Sequence, residues 1–197
     1  MNADVTETVI EVKNVIESLA QDILHKFDPS EKSLSLLHVE HSPAEFLKTL
    51  IDHEYYDDAV TFLAHGLPVR EAIWWSYLCS KEHFEQEDSL YQQGALATEN
   101  WVKNPTEENR REAEKWAEAG EYNTITSWTA AAVFWSGGSV APEGQPIMEP
   151  PMHLYAHAVS GAIVMAANHN MPAVAEVTQR YQRYLKLGID IANGKKN

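Results

Sequence analysis

Apolar side chains in this chain recur every three or four residues, and proline or glycine interrupts the pattern at short intervals. No stretch alternates polar and apolar residues over the length of a strand with β-branched enrichment. That period belongs to one face of an α-helix, and the interruptions set where each helix starts and stops. Over residues 5–27, Val5, Val9, Val12, Ile16, Leu19 and Ile23 follow one another at steps of four and three, which predicts an amphipathic helix ending before Pro29. Residues 28–41 read as a polar linker holding Leu34, Leu36 and Leu37. Ser42-Pro43-Ala44-Glu45 then supplies a capping serine, a proline suited to a first helical turn and a glutamate placed to close a capping box.

Further helices are expected at about 54–64, from Pro68 to about Cys79, at about 85–102, at 106–119 after Asn104-Pro105, and at 124–135 before Gly137-Gly138. An irregular stretch from Ser139 to Pro151 holds four prolines, and two last helices are divided at Asn170-Met171-Pro172. The expected fold is all-α: a single irregular bundle of about nine helices in antiparallel pairs, joined by short loops. Residues 1–41 form an N-terminal amphipathic helix and linker in this reading, and 42–197 the helical core domain. The first helix would serve as a lid on the bundle or as the seam of a homodimer.

Charge narrows the function. The 197 residues carry a formal net charge of -14. It is -9 over residues 1–60, -5 over 61–120 and zero over 121–197. Such a chain lacks the cations that neutralise phosphates or dock on anionic lipid, so neither nucleic acid nor a membrane is an expected partner. A basic protein partner is, with an acidic mimic of nucleic acid as an alternative. The first residues show neither the basic nor the continuous apolar run of a signal peptide, and the single cysteine, Cys79, suits a reducing compartment. A cytoplasmic protein is expected.

Candidate chemistry is sparse. His153 and His157 stand four residues apart on a predicted helix, a spacing at which two imidazoles can share an ion. No further ligand completes a known metal motif, so no metal or other cofactor is expected and no catalytic residue is assigned. A metal-dependent helical hydrolase built on His153 and His157 stays as an alternative. Ser136-Gly137-Gly138-Ser139 lacks the frame and the lysine of a phosphate-binding loop and reads as a helix stop. Six tryptophans are the more informative group. Trp74 and Trp75 are adjacent and point about 100° apart on a helix, so both cannot face one narrow stripe. With Arg70 and Glu71 they form the candidate partner-binding cluster, because tryptophan and arginine are the usual anchors of protein interfaces.

Three strings add a resemblance. Leu67-Pro68-Val69-Arg70-Glu71-Ala72-Ile73-Trp74-Trp75, Phe134-Trp135-Ser136-Gly137-Gly138-Ser139-Val140-Ala141-Pro142 and Pro150-Pro151-Met152-His153-Leu154 resemble a family of small bacterial cytoplasmic proteins of unknown function, associated with type VI secretion gene clusters. The resemblance spans roughly residues 45–192. It implies an all-helical fold and an accessory role beside a secretion machine, and it carries no catalytic residues across. The resulting expectation is a non-enzymatic interaction protein.

Overall fold

The computed structural model describes residues 10–86, 89–142 and 144–195. Among them are ten α-helices, one 3-10 turn and no strand. The helices are α1 (Ala20–Leu24), α2 (Glu31–Ser35), α3 (Pro43–Asp52), α4 (Tyr56–Gly66) and α5 (Val69–Ser80). After a 3-10 turn at Lys81–Gln86 come α6 (Ser89–Lys103), α7 (Glu107–Ala119), α8 (Ile125–Phe134), α9 (Leu154–Asn168) and α10 (Val174–Ala192). The all-α bundle is therefore what the sequence predicts.

Several boundaries sit where the local chemistry puts them. The Ser42 hydroxyl accepts from the Glu45 amide while the Glu45 carboxylate accepts from the Ser42 amide, closing a capping box at α3. Thr106 and Thr124 cap α7 and α8 in the same way through their hydroxyls.

Helix α8 is the hub. It packs on α5, α6, α7 and α9, and each of its residues except Trp128 is buried. Its three consecutive alanines, Ala130 to Ala132, have no polar face to present because no side of the helix meets water. Small residues let its neighbours come close. A methyl group on Gly161 of α9 would stand 3.3 Å from the Trp128 ring. Helix α10 closes the bundle over α5: Trp75 is wholly buried there, and a Cβ on Gly188 would lie 2.6 Å from its Cε2. The Trp75 indole N–H donates to the Tyr184 carbonyl at 2.7 Å.

The N-terminal region departs from expectation. Residues 10–19 are not helical, and helix appears only over Ala20–Leu24; Val5 and Val9 of the predicted stripe lie outside the described residues. Instead a strap crosses the bundle. The Asn14 amide donates to the Ala192 carbonyl (2.8 Å) and the Ile16 amide to the Gly66 carbonyl (2.9 Å), so the strap satisfies carbonyls at the ends of α10 and α4. The β-branched Val12, Val15 and Ile16 favour this non-helical role over a helix. The stripe on which a homodimer seam was expected is thus not formed over residues 10–19. The supposed linker, in turn, contains α2, capped by Ser30.

Candidate functional site

The cluster expected on α5 divides. Trp75 belongs to the core and cannot meet a partner, which corrects its place among the interface anchors. Trp74 is half-buried and stacks on Tyr77, with ring centroids 5.0 Å apart. It lines an open groove of about 320 Å³ with Arg70, Glu71, Val102 and Lys103. The Arg70 side chain is exposed, yet its Nε–H donates to the Val102 carbonyl at 2.6 Å. Arg70 therefore ties the start of α5 to the end of α6 while its guanidinium edges the groove.

A second groove, of about 430 Å³, opens beside the first turn of α5. Its walls are Val69, the run Trp135 to Gly138, and the run Glu149 to His153, with Tyr155 behind. All three strings that carry the family resemblance contribute to it, though they lie more than 60 residues apart at the extremes. Two arginines of α7 build its frame. Arg110, 4% exposed, donates to the Phe134 carbonyl (2.6 Å) and the Ser139 carbonyl (2.9 Å) and pairs with Glu107 (2.6 Å). Arg111 donates to the carbonyls of Ser139 (2.8 Å) and Ala141 (2.9 Å). Gly138 has φ +67°, and a Cβ there would stand 3.0 Å from Arg110 Nε, so glycine meets both the backbone and the space requirement.

The proline-rich segment is held at its neck. The Ser139 hydroxyl accepts from the amides of Ala141 and Met148, both at 3.1 Å, and the Val140 amide donates to the Met148 carbonyl at 2.7 Å. Ile147 and Met152 are more than 80% exposed and Met148 is 62% exposed. The segment thus presents apolar side chains to solvent from a fixed loop. Trp135 stands at its base, stacked on Tyr122 at 5.8 Å.

The histidines also converge. His65, at the end of α4, is fully buried, and its ring lies 4.6 Å from that of His157 and 6.3 Å from that of His153. No spacing rule joins residue 65 to residues 153 and 157, and only the packing of α4 on α9 reveals the third ring. Even so, no group of three His, Cys, Asp or Glu side chains among the described residues is placed to hold a metal ion. Cys79 is buried, and burial pushes its thiol well above the ordinary value, away from thiolate chemistry.

An acidic hollow of about 620 Å³ lies at the start of α4, lined by Glu31, Glu54, Asp57 and Asp58 with Tyr55, Tyr56 and Tyr181. Two of its carboxylates serve the fold. Asp57 accepts from the Tyr181 hydroxyl, and Asp58 accepts from the Ser30 hydroxyl at 2.9 Å.

These features define an all-helical domain with two shallow grooves flanking the start of one helix. A sequence model of DUF6931, a family of unknown function, matches residues 46–192, and the chain belongs to that family. No curated protein and no solved structure matches the chain. No helix among the described residues is long and apolar enough to cross a membrane.

Proposed function

We propose that this protein is a non-enzymatic, protein-binding accessory factor, and that it works in the setting its resemblance implies, a bacterial type VI secretion apparatus in the cytoplasm. The observation that carries the binding role is the meeting of three distant sequence strings at one open groove beside α5, held in shape by Arg110 and Arg111 and edged by exposed Met152. A solvent-facing apolar edge has no use in packing this chain, whereas exposed methionines suit a protein surface. Trp74 and Arg70 in the adjoining groove supply the anchor types that interfaces favour. The negative charge of residues 1–120 would speed encounter with a basic partner and fade as salt screens it.

Affinity capture with the full chain, followed by mass spectrometry, tests this reading when repeated with Trp74→Ala and Met152→Asp. A component of the secretion apparatus should be retained by the wild type and released by either variant, each of which keeps the helical circular dichroism. Raising salt to about 0.5 M should slow association strongly. Retention by both variants, association indifferent to salt, or a partner unrelated to secretion would overturn the corresponding part of the proposal.

A further inference from the structure

We infer that His65, His153 and His157 form an acid-sensitive latch, which fastens the N-terminal strap to the ends of α4 and α9 and releases it as the surroundings acidify. The inference stands apart from the docking role and rests on the cluster itself.

His65 has no way to carry a proton where it is. Its Nδ1–H donates to the Thr61 carbonyl at 2.8 Å, which leaves Nε2 as the bare nitrogen. That Nε2 is buried with no hydrogen-bond partner. Its ring is fully enclosed, with Phe27 of the strap on one side (centroids 4.7 Å, tilted 33°) and His157 edge-on at 4.6 Å. The charged and titratable groups that face it are Lys26 from the strap and His153 and His157 from the start of α9. Glu17, also of the strap, faces His153 but is bound to Lys26 at 2.7 Å. A proton on His65 or His153 therefore adds a cation close to Lys26, with the Glu17 carboxylate already engaged.

Burial is the main cause that holds His65 down at about 4; His157, His153 and Lys26 act in the same direction, and the Thr61 carbonyl opposes them. Burial also lowers His153, followed by Lys26 and His157. A histidine protonates more readily once water reaches it, so acid favours whichever rearrangement opens the cluster.

The element whose release opens it is the segment from residue 10 to Phe27, which includes α1, and its release exposes the buried Ala20, Ile23 and Leu24. Residues 10–19 have no helical ladder of their own, and the strap is held by few backbone bonds, among them Ile16 to Gly66 and Ala20 to His41. The Gly66 bond adjoins His65 directly. Lifting Lys26 and Phe27 away together with α1 hydrates the imidazole, gives up the packing of α1 on α3 and α4, and leaves α5 to α9 packed. Coupling between proton uptake and strap release follows, because the open state alone binds the proton well.

Hydrogen exchange of the full chain at pH 7.5 and pH 5.0, corrected for intrinsic rates, tests this. Amides of residues 14–27 should lose protection at least tenfold at pH 5.0 while those of α9 keep theirs. The double variant His153→Asn with His157→Gln removes two neighbouring imidazoles but leaves His65 buried, so it should narrow the pH-dependent loss only in part. Asparagine suits the left-handed backbone of residue 153 (φ +63°), so the turn survives the change. His65→Gln, which keeps a donor for Thr61 and cannot titrate, should hold the strap. Equal wild-type protection at both pH values, joint loss in strap and α9, or a His65→Gln variant that releases the strap as the wild type does would overturn the latch.

Discussion

The strap and α5 show how little a helical period decides by itself. Both carry apolar residues at steps of three and four, yet residues 10–19 form an irregular, non-helical strap and residues 69–80 form a helix. Helix α5 packs against α6, α8, α9 and α10, so a helix there buries Ala72, Ile73, Trp75 and Cys79 together. The strap faces helix ends instead, where bare carbonyls of Gly66 and Ala192 want N–H donors. A non-helical chain offers those donors, and a helix would keep them for itself. What surrounds a segment thus decides between two uses of the same pattern.

The largest effect should come from the α5 side of that contrast. Trp75→Ala removes a wholly buried indole and its bond to the Tyr184 carbonyl, which should cost about 3–5 kcal/mol in denaturant unfolding. Gly188→Ala attacks the same contact from α10 and should cost about 1–3 kcal/mol by overpacking. Ile16→Ala, on the 46% exposed strap side chain, should stay within about 0.5 kcal/mol. A strap substitution as costly as the core ones would break the comparison.

Acid should act at the join between the two regions. His65 is held below its ordinary value when folded, at about 4, so the unfolded chain binds the extra proton first. Its contribution to stability is complete above the unfolded value near 6.5 and is lost as pH falls from there to about 4. The loss amounts to up to about 3 kcal/mol if the ring stays buried, since each tenfold drop in proton affinity is worth about 1.4 kcal/mol. Urea unfolding at pH 7.5 and pH 4.5 should show it, and His65→Gln should flatten the difference.

A smaller and more local effect is expected at the groove. Arg110→Met leaves the Phe134 carbonyl without its charged donor and the Ser139 carbonyl with Arg111 alone, at about 2 kcal/mol. The segment 139–148 should then be cut quickly by protease while the helices endure. Unchanged cleavage would mean that Arg111 and the Ser139 hydroxyl suffice to hold the neck.

The sequence made most of the bundle legible because its punctuation is local. Ser42, Thr106, Thr124 and Pro172 act within a few residues of themselves, so boundaries from α3 onward can be read without knowing the fold. α2 was hidden because five residues are too few to show a period. The choice between Trp74 and Trp75 was hidden for another reason: Gly188, which makes room for Trp75, lies more than 100 residues away. Long separation in the chain likewise concealed His65 from His153 and His157, and Arg110 from Ser139. The three family strings meet at the groove only in the folded chain, and the arginines that frame it carry no signal beyond two adjacent cations on a charged helix.

Matched caps give the finest probe of the two regions. Ser30 caps α2 and Ser42 caps α3, each hydroxyl accepting from the amide three residues on. Ser42→Ala should lower global stability by about 1 kcal/mol, the ordinary cost of a lost cap, because α3 buries Phe46, Leu47 and Leu50 and unfolds with the core. Ser30 does more in the folded chain, since its hydroxyl also donates to Asp58 of α4. Even so, Ser30→Ala should change global unfolding less than Ser42→Ala. A five-residue helix cannot persist alone, and α2 buries only Ser33, so it can open before the bundle does. Hydrogen exchange should therefore show faster opening over residues 31–36 in Ser30→Ala with the α8 and α9 amides unchanged. Equal losses of global stability from both variants would instead make α2 part of the same cooperative unit as α3.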